Sequence, residues 1–338
     1  MKQLICLEPG SWEFQEINFP KLKPGFAILK IRRIGICGTD LHAFEGTQPF
    51  FSYPRVLGHE LAGEIVDIEA HSAFQKGDLV TIVPYYSCGN CRACETGKTN
   101  CCTHLQVAGV HVDGGMAEFF QVPIRNLMKD SALSLDELAL VEPLSIGAHG
   151  IRRSHLKSGD RVLVVGAGPI GLGAAKMAQI AGADVILMDV NDQRLSHVHD
   201  KWGISLVMNP LKEDALATLK AYTNDQMPEV VIDATGSVKA IENSFPYMSH
   251  GGIFVLIGLQ LQAISFSHPE FHKREGTLMS SRNATKEDFQ WVMNSMKSGQ
   301  IQASDFISHR LAFDQVPAEF SGLLDPQNRV IKAMISMD

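Results

Sequence analysis

Long apolar runs are missing from this 338-residue chain. Without a stretch of about 18 apolar residues, no membrane-spanning helix is expected. The opening MKQLICLEPG has no charged start followed by an apolar run, so no secretory signal is read there. An excess of positive charge is missing as well. Thirty Lys and Arg stand against 37 Asp and Glu, a net charge of −7, so no general phosphate-neutralising surface for nucleic acid is advertised. Internal repeats and low-complexity tracts are absent. Cysteine is scarce except in one place: five of the seven lie in CGNCRACETGKTNCC, residues 88–102, and the others are Cys6 and Cys37. With no signal the expected compartment is a reducing cytoplasm, where clustered cysteines are more often metal ligands than disulfides.

What is present is ordinary for a soluble globular protein: 45% apolar and 20% charged residues. The length exceeds one ordinary core and suggests two domains.

Cys88, Cys91, Cys94 and Cys102 follow C-x2-C-x2-C-x7-C. Two-residue gaps let a tight loop turn three sulfurs to one face, and the longer gap lets the chain return to close a tetrahedron around zinc. Gly89 and Gly97 supply the loose backbone such turning needs. Four thiolates leave no open corner, so this is a staple, not a reaction centre. Adjacent side chains point apart, so either Cys101 or Cys102 is spare; the spacing leaves the choice open. A zinc-ribbon binding module is the rival reading.

A second set is dispersed. Cys37 stands in a glycine-flanked turn, GICGTDLH, after the strand-like run AILKIRRIGI. His59 and Glu60 follow another turn in YPRVLGHELAGEIV. Glu142 precedes a proline in VEPLSIGAHG. A thiolate, an imidazole and a carboxylate suit a catalytic zinc with its fourth corner open. Spacing alone does not join them: a buried thiol, a core histidine and a capping glutamate read the same way.

The segment RVLVVGAGPIGLGAAKMAQIAGADVILMDV, 161–190, is more explicit. The buried strand Val162 to Val165 leads into Gly166-Ala-Gly168-Pro169-Ile170-Gly171, then an alanine-rich helical stretch and a second strand, Asp184 to Met188, ending at Asp189. In this context G-x-G-x-x-G marks a dinucleotide site. Gly166 permits the sharp turn, Gly168 lets the backbone approach a pyrophosphate, and Gly171 lets helix and strand pack closely. The helix N-terminus offers unpaired N–H groups and positive dipole. Asp189 accepts from ribose hydroxyls and repels a 2′-phosphate, favouring NAD over NADP; Arg194, a few residues on, tempers that preference. Strands at 205–209, 229–233, 252–257 and 277–281, with helices near 211–222 and 237–248, complete a six-stranded doubly wound sheet over 147–284. A helix at 285–298 opens the remaining tail.

The motifs CGTDLH, GHE, CGNCRACETGKTNCC, EPLSIGAHG and GAGPIG, in this order, resemble the zinc-dependent medium-chain alcohol and polyol dehydrogenases over essentially the whole chain. The resemblance implies a chaperonin-10-like β-barrel catalytic domain, 1–146 and 285–338, with a Rossmann domain inserted over 147–284. It implies two zinc ions per subunit, NAD, and hydride transfer in the cleft between the domains. It implies Cys102 as the fourth structural ligand, leaving Cys101 extra, and Cys37, His59 and Glu142 as catalytic ligands with Glu60 able to exchange onto the metal. It implies a homodimer or homotetramer, with 252–257 readable either as a strand pairing across a dimer edge or as an internal one.

The stretches GTQPFFSYPRVLGHE, GVHVDGG and FSHPEFHKREGTLMSSRNATKEDF look closest to the sugar-acid subgroup, the L-galactonate and L-gulonate 5-dehydrogenases together with starvation-sensing proteins. On that basis the expected reaction oxidises a secondary hydroxyl of a sugar acid. Thr39, two residues after Cys37, takes the hydroxyl proton, and His42 is the outer member of the relay. Arg55, Arg282 and Asn283 are the substrate candidates; Lys273 and Arg274 read more readily as solvated surface. The rivals are a neutral polyol or L-threonine dehydrogenase and a catalytically silent NAD(H)-binding regulator.

Overall fold

The computed structural model describes residues 1–49, 51–204 and 206–337. The chain divides into two compact units, one formed by Met1–Pro143 with the segment from Thr285 onward, the other by Leu144–Ala284. The division falls inside the helix Leu135–Arg153, three residues before the boundary expected at 146/147, because that helix runs continuously past it.

The first unit is built on a seven-stranded, mostly antiparallel sheet. Its long strand Phe26–Ile36 pairs with Glu60–Ile68, Phe119–Pro123 and the C-terminal Lys332–Ser336. Residues such as Leu29, Ile31 and Ile34 point into a core with Leu61, Ile65, Val80 and Phe320. Lys332–Ser336 lies between Phe26–Ile36 and Ile307–Ala312, so the last strand of the chain is internal to the sheet.

The second unit holds a six-stranded sheet, parallel throughout. Its spatial order is Leu206–Met208, Asp184–Met188, Arg161–Val165, Val230–Asp233, Ile253–Leu256, Thr277–Ser280. The order reverses between Arg161–Val165 and Val230–Asp233, the topological switch point beside which such sheets take ligands. Val162, Leu163 and Val164 are fully buried, as a strand covered on both faces requires.

Several local expectations shift. The strand near 205–209 spans Leu206–Met208; Ser205 lies outside the described residues, as does Phe50 of the 46–60 motif. The strand at 252–257 is Ile253–Leu256 and is internal, hydrogen-bonded on both sides, so it cannot be an edge; the edge strand on that side of the sheet is Thr277–Ser280. The helix near 211–222 starts at Ala215, where the Asp214 side chain caps Leu216 and Ala217 N–H. The helix near 237–248 ends at Ser244, ahead of a 3-10 turn containing Pro246. The helices Gly38–Glu45, Leu135–Arg153, Asp192–Trp202 and His268–Lys273 were not anticipated. Among the described residues no helix is long and apolar enough to cross a membrane.

Candidate functional site

Three donor residues converge in the first unit. Cys37 is not in a turn: it immediately precedes the helix Gly38–Glu45 as its N-cap, and Asp40 fixes it there by accepting from the Cys37 N–H at 2.9 Å. His59 ends the approach to the strand Glu60–Ile68, and Glu60 begins it. A sulfur, a ring nitrogen and a carboxylate oxygen from these residues lie within 4.8 Å of one another. His59 and Glu60 are buried, and Cys37 is half-buried.

Each carboxylate near them has its own holder. Glu60 accepts from Lys332 Nζ at 2.6 and 2.8 Å, and the same ammonium donates to the Ile36 carbonyl at 3.0 Å. Glu142, expected as the third ligand, stands outside that close group: it lies within the helix Leu135–Arg153, which carries Pro143 in its interior, and accepts from the Tyr85 hydroxyl. Tyr85 is buried and packs edge-on against Phe289.

The electrostatics fit a divalent cation. Asp40, Glu60 and Glu142 are all buried, beside a thiol, with Lys332 as the buried ammonium among them. Burial, reinforced by the Glu60 charge, raises Glu142 to about 7, against the pull of His59, Tyr85 and Lys332. Burial draws the His59 pKa down, but Asp40, Cys37 and Glu142 outweigh it and hold it well above the ordinary value. His59 Nδ1 is buried without a hydrogen-bond partner, 3.8 Å from Asp40 Oδ1. A buried set this rich in anionic donors, with an orphaned ring nitrogen, is the environment a zinc ion relieves.

The second cluster is closed. Sulfurs of Cys88, Cys91, Cys94 and Cys102 all lie within 4.8 Å of one another, while Cys101 is exposed and outside the group. Gly89 and Gly97 adopt left-handed backbone, φ 81° and 78°, where the loop reverses. Backbone N–H groups of Cys88 and His104 point at the Cys102 sulfur at 3.2 and 3.3 Å, and such donors favour thiolate.

The second unit carries the nucleotide turn. Gly166 has φ 104°, a conformation only glycine adopts without strain. A Cβ on Gly171 would lie 1.8 Å from the Gly166 carbonyl, whereas one on Gly168 would meet nothing within 4 Å. Gly168 is therefore the open point of the turn. It caps the helix Pro169–Ile180, whose first-turn N–H groups lack intrahelical partners. Asp189 follows the neighbouring strand; its carboxylate accepts from Ala167 N at 2.5 Å and Asn191 N at 2.7 Å. Arg194 is half-buried in the first turn of the next helix, where the Asn191 side chain accepts from its N–H.

Comparison with known proteins fits this arrangement. The sequence pattern of the alcohol dehydrogenase GroES-like domain matches residues 23–132, and that of the zinc-binding dehydrogenase domain matches 169–298. An L-galactonate-5-dehydrogenase of Escherichia coli K12 is 43% identical over 339 residues, 99% of each chain. The chain belongs to the zinc-dependent alcohol dehydrogenase family. A 2-dehydro-3-deoxy-L-galactonate 5-dehydrogenase of Pseudoalteromonas atlantica is 32% identical over 96% of each chain. The crystal structure of an alcohol dehydrogenase (rspB) from E. coli CFT073, complexed with NADH, superimposes with a TM-score of 0.92 at 29% identity, covering 100% of this chain and 99% of that one.

In this dehydrogenase the remaining candidates are distributed unevenly. Thr39 is half-buried in the helix that Cys37 caps. His42, on the same helix, is exposed, with Nδ1 3.1 Å from the Thr47 hydroxyl and 3.5 Å from Glu45; no hydrogen bond joins it to Thr39 among the described residues. Arg55 is committed to Asp113 and Ser52, at 3.2 and 3.0 Å, and its main chain pairs with Cys6. Its Nη1 and Nη2 are thus engaged, while its buried Nε has no hydrogen-bond partner. Arg282 is exposed after the strand Thr277–Ser280, and Asn283 beside it has φ 54° and a buried, unpartnered side-chain nitrogen. Arg274 is bound to Glu270 and to the Met248 carbonyl, and Lys273 is exposed.

Lys332, Tyr85 and Asp40 were missed. Asp40 had a signal, the capping-box spacing after Cys37. Lys332 had none: it lies 272 residues from its partner.

Proposed function

We propose that this protein oxidises a secondary hydroxyl of a sugar acid, a hexonate such as L-galactonate or L-gulonate at C5, with NAD as hydride acceptor. The convergence of Cys37, His59 and Glu60, with Glu142 held nearby by Tyr85, carries the oxidoreductase chemistry. Two relatives named as 5-dehydrogenases of galactonate-type acids support the substrate class.

In this reading Cys37, His59 and Glu142 hold a zinc ion, with Glu60 within reach, and Cys88, Cys91, Cys94 and Cys102 hold a second. The bound ion supplies a Lewis acid that makes the substrate hydroxyl acidic near neutral pH. Thr39 takes that proton through its Oγ1, and His42, exposed on the same helix, passes it to solvent. Burial of His59, Glu60 and Glu142 limits the access of water to the donor set. Asp189 selects NAD by accepting from the ribose hydroxyls, and the Pro169–Ile180 helix N-terminus with Gly168 takes the pyrophosphate. Arg282 and Asn283 remain the residues for the substrate carboxylate, Arg282 as a charge-assisted donor. Clustered thiols held as metal ligands suit a cytoplasmic location. A homodimer or homotetramer is proposed through the outer edge of Thr277–Ser280.

Steady-state oxidation of aldonates, neutral polyols and L-threonine with NAD tests the reading. Aldonates are expected to give the highest kcat/KM, and Arg282→Ala to raise KM for an aldonate more than for a polyol. Equal activity on polyols, or equal effects of Arg282→Ala on both classes, overturns the substrate class. Absence of turnover on every substrate with zinc intact favours a silent NAD(H) sensor.

A further inference from the structure

At the carboxyl ends of its strands, the parallel sheet of the second unit carries three turns that touch one another. The first holds Gly166, the second is 234–237, and the third holds Gly258 and Leu259; each follows its own strand. They meet through glycines. A Cβ on Gly166 would lie 2.9 Å from Thr235 Cγ2 and 3.2 Å from the Ala234 carbonyl carbon. A Cβ on Gly258 would lie 2.3 Å from the Gly236 nitrogen, and one on Gly236 would lie 2.7 Å from the Leu259 carbonyl oxygen. The middle turn is therefore a spacer. Its position decides how far apart the outer two stand.

Asp233 holds that spacer. It ends the strand Val230–Asp233 and is fully buried. Its Oδ1 accepts from the Thr235 hydroxyl at 2.5 Å and from the Thr235 N–H at 3.3 Å, and its Oδ2 accepts from the Gly236 N–H at 3.3 Å. Its main-chain carbonyl accepts from the Ile257 and Gly258 N–H groups at 2.9 and 3.1 Å, so one residue ties both later turns. Among the described residues only donors are directed at its carboxyl, which suits the ionised form. Burial raises its pKa, and the hydrogen bonds from Thr235 and Gly236 work against that. A buried charge costs desolvation free energy that packing alone would not require. The turn it holds is open above: Thr235 is exposed.

That arrangement matters for a dinucleotide. In the reading of the preceding section the Gly166 turn and the helix behind it serve the pyrophosphate, and Asp189 serves the adenosine ribose. Such a cofactor spans both halves of a doubly wound sheet. Its nicotinamide half then lies over the strands beyond the switch point, where the second and third turns stand. We propose that Asp233 is a positioning residue for the cofactor: it fixes the 234–237 turn, and with it the Gly258 turn, so that the surface for the nicotinamide half is formed before that half arrives. The proposal rests on the NAD site of the preceding section. Asp233 acts through the turns and needs no contact with the cofactor.

The test compares a whole cofactor with part of one, by binding and not by turnover. Titration calorimetry on the zinc-loaded protein measures the affinity for NADH and for ADP-ribose, which lacks the nicotinamide; melting temperature is recorded alongside. Asp233→Asn keeps the shape but, whichever way the amide is turned, sets its N–H against a backbone N–H. It is expected to weaken NADH about tenfold, the size of one misdirected buried hydrogen bond. ADP-ribose affinity should change by less than about twofold, as for a distant site. Thr235→Val removes the hydroxyl and weakens NADH in the same sense, and Thr235→Ser, which returns the hydroxyl, restores the affinity. Unchanged NADH affinity in Asp233→Asn overturns the proposal. So does an equal loss of both ligands, the result of an acid that only stabilises the unit. Should Asp233→Asn fail to fold, the two Thr235 variants decide: weaker NADH in Thr235→Val than in Thr235→Ser supports the proposal, and equal affinity overturns it. Wild-type protein that binds neither ligand overturns the NAD site itself, together with the inference built on it.

Discussion

Cys37 does two things at one position: it caps a helix and presents a thiol to His59. The helix it starts carries Thr39 in its first turn, so the proposed proton acceptor is placed by the same backbone that places the ligand. Thr39→Val keeps the shape and removes the hydroxyl. Turnover is expected to fall by about two orders of magnitude or more, the usual size of a lost acid–base contribution, while NADH binding followed by fluorescence stays intact. Retained turnover would remove Thr39 from the relay. At this scale the sequence was informative where a residue sat in a tight motif. The four structural cysteines could be grouped by spacing, and Gly166, Gly168 and Gly171 by their strand–turn–helix context. Cys37, His59 and Glu142 could be joined only through family resemblance, because no periodicity links residues a hundred positions apart. Lys332 and Tyr85 were invisible for the same reason: each gains its meaning from one long-range hydrogen bond. The Asp113 partner of Arg55 was not visible either, because a lone arginine in a loop does not announce it.

Among the elements, the helix Leu135–Arg153 matters most to the site, since it carries Glu142. Pro143 concealed it, because a proline inside a helix removes a donor and normally ends the pattern. Its first turn is anchored by Asp136, which accepts from Arg33 on the strand Phe26–Ile36 at 3.0 Å and from Arg310 on Ile307–Ala312. The Arg310 hydrogen bond, helped by Arg33 and opposed by burial, lowers the Asp136 pKa. A depressed carboxyl pKa contributes stability that is present above the unfolded value, about 3.9, and is lost as pH falls through the folded value. Asp136→Asn is therefore expected to be destabilising at pH 7. Arg310 is half exposed, so the cost is held to about 1 kcal/mol by solvent screening. Melting curves across a pH series check this: the gap between variant and wild type should close below about pH 3, and a gap independent of pH would contradict it. The parallel strands were legible to within a residue or two because their apolar runs are bounded by turns. Their spatial order was not, and the choice left open for 252–257, edge or internal, fell to internal once pairing was known.

Across the whole chain, the expected composition is two zinc ions per subunit. Cys102→Ser is expected to leave one and to lower the melting temperature, whereas Cys101→Ser should keep both, because Cys101 stands outside the sulfur cluster. Metal analysis of the purified variants separates these outcomes; equal loss in both would mean that the adjacent thiols share the role. The two-unit organisation was legible from composition and alternation. The return of the tail to the first unit was read from resemblance, and its depth in that sheet was not foreseen. Lys332–Ser336 lies between two other strands and brings the ammonium that holds Glu60. A ribosome makes this chain from its amino end. All six strands of the parallel sheet have been synthesised by residue 280, so the inserted unit can fold while translation continues. The other unit cannot. It waits with a gap beside Phe26–Ile36 until Lys332–Ser336 emerges, and until then Glu60 has no lysine to hold it. The pocket around Glu60 is therefore completed by a strand made after every other strand of its unit, and a stop at or before codon 332 would leave Glu60 without its lysine.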